Sequence, residues 1–140
     1  MPVEIEMVLR ILLAAVLGGV IGYQRDKADK PAGIRTLVLI AFGSALFTIV
    51  SVEGFDADPA RIASGIVTGI GFLGAGSIIR RGEGIVEGLT TAATIWAAAG
   101  VGISAGAGLY LISIIATVII FVVLMLPKLP GKEEDKSESG

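Results

Sequence analysis

The sequence contains no cysteine and no histidine, and only 17% of its 140 residues are charged. Without these two residue types the chain can form neither disulfides nor Cys/His zinc sites, and it cannot use thiol or imidazole catalysis. A soluble domain usually has about a quarter charged residues. Here hydrophobic residues make up 54% of the chain, and the mean hydropathy is +0.85. This composition is typical of an integral membrane protein.

Long intervals without a charge predict where the chain crosses a membrane. They are residues 36–52, 62–79 and 88–127, and the last is about twice the length needed to cross a hydrocarbon core. A glycine-rich stretch, residues 100–108, predicts a turn in the middle of this last interval. An apolar segment at the N-terminus is preceded by no Lys or Arg, which favours a retained span over a signal peptide.

These segments predict an all-α, polytopic membrane domain over residues 1–127. Its five transmembrane helices are expected at about 5–23, 34–52, 62–79, 88–103 and 107–126. The fourth is the shortest, and a re-entrant segment there is the alternative. Residues 132–140 are rich in charge and lack apolar side chains, which predicts a disordered, charged cytoplasmic tail over residues 128–140.

Basic residues are concentrated in alternate loops, and this predicts the orientation. Nine of the eleven Lys and Arg residues lie in the first loop, the third loop and the tail: Arg25, Lys27, Lys30, Arg35, Arg80, Arg81, Lys128, Lys132 and Lys136. The N-terminus is therefore expected outside and the C-terminus in the cytoplasm. Arg10 lies inside the first span, where Glu6 is four residues earlier and predicts a pair near the outer interface.

Twelve glycines lie between Arg61 and Lys128. Each would cost a soluble helix about 1 kcal/mol relative to alanine. In a bilayer the backbone has no water to bind, so the helix persists and neighbouring helices can approach closely. Residues 69–74 match the GxGxxG pattern, but that pattern binds dinucleotides only between a strand and a helix. We interpret the glycines as helix-packing residues, within or between subunits: Gly65, Gly69, Gly71, Gly74 and Gly76.

Polar residues near the span ends form a candidate functional cluster. Threonine hydroxyls early in the fourth span can bond to the backbone, bond to a neighbouring helix, or line a polar path. Arg35 begins the second span and faces the same side as the other basic loop residues. The hypothesised cluster comprises Arg25, Arg35, Thr36, Asp58, Arg61, Thr90, Thr91 and Trp96.

Six segments, in order, resemble the MgtC/SapB family of bacterial and archaeal membrane proteins: Gly22–Arg25, Ala32–Thr36, Asp58–Ala63, Gly69–Gly76, Gly88–Trp96 and Gly106–Tyr110. The resemblance implies a multi-pass protein of the inner or plasma membrane that is linked to magnesium homeostasis. Gln24 departs from the family, which usually has glutamate there. The ACT-like C-terminal domain of the virulence members is not expected in this chain.

Two functions are compatible with these residues. The first is divalent-cation transport, with Mg²⁺ as substrate or signal. Mg²⁺ prefers oxygen ligands, yet Glu6 is the only carboxylate within a predicted span, which disfavours a coupled transporter. The alternative is a regulatory membrane protein that binds and restrains another membrane complex such as the ATP synthase.

We expect no enzymatic activity, because the chain offers no plausible nucleophile and base. No cofactor and no nucleic acid partner are expected. The expected partners are the lipid bilayer, a second copy of the chain in a homo-oligomer (a dimer is favoured), and a membrane protein.

The distribution of basic residues generates a topology prediction. Reporters that work only inside or only outside the cell are fused near residue 57, near residue 84 and to the tail. We expect the first fusion to report outside and the other two inside, because Lys and Arg retain loops in the cytoplasm. A tail that reports outside would contradict the five-span arrangement.

Overall fold

The computed structural model describes residues 2–56, 58–80 and 86–128. Within these ranges the chain forms five helices: α1 (Val3–Lys27), α2 (Ile34–Gly54), α3 (Pro59–Gly76), α4 (Leu89–Gly106) and α5 (Tyr110–Met125). One helix lies in each predicted segment, and the all-α fold is confirmed. The predicted disorder of the tail beyond residue 128, and the predictions on Arg81, fall outside the described residues.

Three of these helices, α1, α2 and α4, are long and apolar enough to cross a membrane, judged by length and composition. Helix α5 is apolar but shorter. The segment for which a re-entrant path was the alternative is the continuous helix α4. The number of crossings and the orientation stay predictions.

The ends of α3 differ in how they are fixed. Asp58 caps the helix by accepting a hydrogen bond from the Ala60 amide at 3.0 Å, and Pro59 is pre-shaped for the first helical position. The helix stops at Gly76, before the predicted end at residue 79. There the chain enters a short antiparallel pairing of β1 (Ile79–Arg80) with β2 (Val86–Glu87), which the sequence did not predict.

Helix α4 continues to Gly106, beyond the predicted end at residue 103. The reversal into α5 is confined to residues 107–109, where Gly108 has φ +82°, a conformation that L side chains rarely adopt. The glycines at the start of the predicted turn are therefore helical. Gly102 and Gly106 serve packing, because α4 lies at the centre of the bundle and contacts each of the other four helices.

Close backbone contacts hold the bundle together at glycines of α1 and α4. A Cβ at Gly18 would lie 2.5 Å from the Leu37 carbonyl oxygen of α2, and one at Gly106 would lie 2.7 Å from that of Ala45. A Cβ at Gly102 would collide with the Ala41 carbonyl. Such approaches increase dispersion contact between helices, which drives association in lipid.

The predicted packing glycines of α3 behave differently. A Cβ at Gly74 would make ordinary contact with Ala92 at 3.6 Å, whereas one at Gly65, Gly69, Gly71 or Gly76 would meet nothing within 4 Å. Helix α3 lies at the edge of the bundle, with only Ile66 and Gly74 buried. Among the described residues, Gly74 is thus the one predicted packing glycine in a contact between helices. Packing of the other four between subunits stays a prediction.

The contrast between two glycines of α4 gives a test of this packing. We expect Gly106→Ala to lower the thermal unfolding midpoint in detergent, at a cost of about 1–3 kcal/mol from overpacking. Gly100→Ala is the matched control on the same helix, because a Cβ there meets nothing within 4 Å. Its midpoint should be unchanged or higher. Equal midpoints for the two variants would contradict the close contact between α4 and α2.

Candidate functional site

The structure places a buried arginine where α1, α4 and the α1–α2 connection meet. Arg25 lies in the last turn of α1 and is only 4% exposed. Its Nε donates to the Pro31 carbonyl at 3.1 Å, and its Nη2 donates to the Thr91 hydroxyl in the first turn of α4. The planar guanidinium thereby links three parts of the chain.

The α1–α2 connection is shaped to hold this arginine. Asp26 accepts a hydrogen bond from the Ile34 amide at 3.0 Å, at the start of α2, and this charge at a helix N-terminus is favourable. A side chain at Gly33 would displace the Asp26 carboxylate. Asp29 and Ala32 both have φ 57°, a left-handed conformation that costs alanine about 1–3 kcal/mol. The strained connection brings the Pro31 carbonyl to Arg25.

The charge of Arg25 is compensated by neutral acceptors. Both ion pairs found among the described residues involve Arg10, so no carboxylate of these residues lies within 4.0 Å of the Arg25 guanidinium. The N-terminus of α4 beside it carries a partial positive charge. This end of the bundle therefore attracts hydrogen-bond acceptors and repels cations.

The structure brings together two of the eight residues in the hypothesised cluster, Arg25 and Thr91. The other six are exposed, and none of them forms a side-chain hydrogen bond with Arg25 among the described residues: Arg35, Thr36, Asp58, Arg61, Thr90 and Trp96. Asp58 is the cap of α3, and Arg61 lies at a groove beside that helix. Trp96 is 59% exposed.

Most described threonine hydroxyls with a hydrogen bond satisfy the backbone of their own helix. Four donate to the carbonyl four residues earlier: Thr48, Thr68, Thr94 and Thr117. This supports the interpretation of the threonines as back-bonded residues over that of a polar path. Thr91 is the exception, since it accepts from Arg25.

The other end of the bundle holds a second arginine site. Arg10 contacts Glu6 at 2.5 Å, which confirms the predicted pair. Its guanidinium also donates to the Gly106 carbonyl at 3.2 Å and to the Tyr110 hydroxyl at 3.3 Å, and Glu53 lies 4.0 Å away. The site thus joins α1 to the ends of α2 and α4 and the start of α5. The partners at residues 53 and 110 were missed, because no local spacing relates them to Arg10.

Metal coordination would need several oxygen donors close together. No group of three or more Asp and Glu side chains able to hold a metal ion occurs in the part of the chain that the structure describes. Two carboxylates, Glu6 and Glu53, flank the Arg10 guanidinium. Their negative charge already faces the positive charge of Arg10.

Known proteins are similar to this chain over most of its length. The model of the MgtC family matches residues 11–130. An uncharacterized protein of Haemophilus influenzae is 44% identical over 138 residues, 91% of this chain and 58% of its own length. The "Putative magnesium transporter YhiD" of Escherichia coli K12 is 48% identical over 128 residues, 85% and 59% of the two chains. Protein MgtC of Salmonella typhimurium is 46% identical over 113 residues, 81% and 48%.

The chain therefore spans about half to three fifths of the length of these curated relatives. No solved structure matches it.

The Arg25 site predicts a sharp difference between two arginines. We expect Arg25→Lys to lower the thermal unfolding midpoint in detergent, at a cost of about 1–3 kcal/mol, because lysine cannot reach both acceptors with a planar fork. Arg35→Lys is the control, since this arginine is exposed and has no ion pair among the described residues. A midpoint for Arg25→Lys equal to that of the control would contradict the linking role.

Proposed function

Because the chain belongs to the MgtC family, we propose that it is a membrane protein of magnesium homeostasis that acts by regulation. In this proposal the protein does not itself conduct Mg²⁺. It binds another membrane complex, such as the ATP synthase, and changes its activity. A homo-oligomer, with a dimer favoured, is the proposed state, and the bacterial inner or plasma membrane is the proposed location.

The observation that carries the proposal is the position of two arginines: Arg10, which is half-buried, and Arg25, which is buried. Arg10 and Arg25 lie on the same helix, which rises about 22 Å between them. Each bonds to α4 or to its terminus, at the centre of the bundle. A cation that entered at the Arg25 end would meet a guanidinium with no ion pair to a carboxylate of the described residues, whereas at the other end Glu6 and Glu53 offset the charge of Arg10.

The magnitude of the electrostatic repulsion between Arg25 and an entering Mg²⁺ supports regulation over conduction. Two unit charges 4 Å apart interact by about 4 kcal/mol at an effective dielectric constant near 20, and Mg²⁺ carries two. Mg²⁺ also gives up its hydration water reluctantly and needs oxygen ligands in return. A path through the interior of one chain that passed Arg25 would supply repulsion where a cation needs ligands.

Transport is the second candidate, and one observation favours it. The name of the Escherichia coli relative contains the words magnesium transporter. A path lined by backbone carbonyls between subunits would avoid both arginines. This version places the conducting route at an interface between copies of the chain.

Flux through the purified protein separates the two candidates. The protein alone is reconstituted into liposomes that contain a Mg²⁺-sensitive dye, and external Mg²⁺ is added. We expect the same signal as in protein-free liposomes, with an added ionophore as the positive control. The gene that encodes the purified protein should also restore growth at low magnesium when it is placed in a strain that lacks its own copy. This control establishes that the reconstituted protein is functional. Flux that increases with the amount of protein would contradict the regulatory proposal.

A further inference from the structure

An open groove of about 630 Å³ runs between α2 and α3. Its walls are apolar, and large exposed side chains such as Leu39, Phe47 and Leu73 form its rim. Two polar side chains line it, Ser44 in its wall and Arg61 at its end near the α2–α3 connection. The groove exists because α3 carries Gly65 and Gly69 on this side, where no side chain fills the space.

The dimensions of the groove suit a single lipid chain. Between Arg61 and Leu73 the helix rises about 18 Å, and half of a hydrocarbon core is about 15 Å thick. A helix of that length and a diameter of about 10 Å would need roughly 1,400 Å³. The observed volume holds less than half of such a helix, but it lies within the range of about 300–1,000 Å³ of small-molecule sites.

The charges at the end of the groove indicate the headgroup. Arg61 lies in the first turn of α3, is exposed, and forms no ion pair with a carboxylate of the described residues. A guanidinium binds phosphate through two parallel hydrogen bonds. Three carboxylates lie in or beside the α2–α3 connection: Asp56, Asp58, which also caps α3, and Glu53, which also lies 4.0 Å from Arg10. They repel a headgroup with net negative charge and attract an ammonium group.

We propose that this groove binds one zwitterionic phospholipid of the phosphatidylethanolamine class. One acyl chain lies between α2 and α3, the phosphate binds Arg61, and the ammonium faces the carboxylates of the connection. This site is independent of whether the protein regulates a partner or conducts Mg²⁺.

Lipid binding to the purified, delipidated full chain tests the proposal. Phosphatidylethanolamine is titrated into the protein in mild detergent, and bound lipid is counted by native mass spectrometry. We expect one tightly bound lipid, and binding about tenfold weaker in Arg61→Gln, because a charged hydrogen bond is lost. Gly69→Leu places a side chain in the groove and should abolish binding. Gly71→Leu is the matched control, since Gly71 also has free space around it but does not line the groove.

Three results would overturn the proposal. Equal lipid binding by Gly69→Leu and Gly71→Leu would show that the groove is not the site. Tighter binding of phosphatidylglycerol than of phosphatidylethanolamine would contradict the assigned headgroup. Loss of a dimer mass in Gly69→Leu alone would assign the groove to a second copy of the chain. Thermal unfolding verifies that each variant is folded. If Gly69→Leu does not fold, Arg61→Gln still tests the headgroup contact.

Discussion

The close contact between the backbones of α4 and α2 is the interaction on which the rest of the structure depends. In a bilayer, helices gain nothing from leaving water, and they associate through packing and hydrogen bonds. Gly102 and Gly106 let α4 approach Ala41 and Ala45 of α2 so closely that no side chain fits between them. Helix α1 packs on α2 in the same way through Gly18. The three helices that are long and apolar enough to span a membrane thereby form one compact unit.

The two arginines of α1 are held by this unit and in turn fix its ends. Arg10 reaches the carbonyl of Gly106, which is available because the helix ends there. Arg25 reaches Thr91 in the first turn of the same helix. Buried charges are costly unless hydrogen bonds compensate them, so both contacts constrain how α1 is rotated and shifted against α4. The two ends differ in charge: Glu6 and Glu53 flank Arg10, whereas Arg25 forms no ion pair with a carboxylate of the described residues.

Helix α3 packs less closely against the rest of its chain than the other glycine-containing helices do. It has five glycines in 18 residues, against three in the 18 residues of α4, but most of them face open space, and few of its residues are buried. A helix that packs weakly within its own chain leaves surface and volume for something else. Lipid, a second copy and a membrane partner are the candidate occupants of such a surface, and the groove volume and the charges beside Arg61 favour a lipid.

Local physical chemistry was enough to predict several features. The apolar segments, the five helices and the pair between Glu6 and Arg10 depend on residues close in sequence, because span length and helical spacing are local properties. The partners of Arg25 and Arg10 across the bundle, Thr91 and Tyr110, were decided by tertiary structure alone. So was the choice of packing glycines: the sequence pointed to α3, and the structure uses Gly102 and Gly106 instead. Glycine lacks a side chain in either helix. Only the position of the neighbouring backbone decides whether the space beside the glycine is closed by a contact or left open.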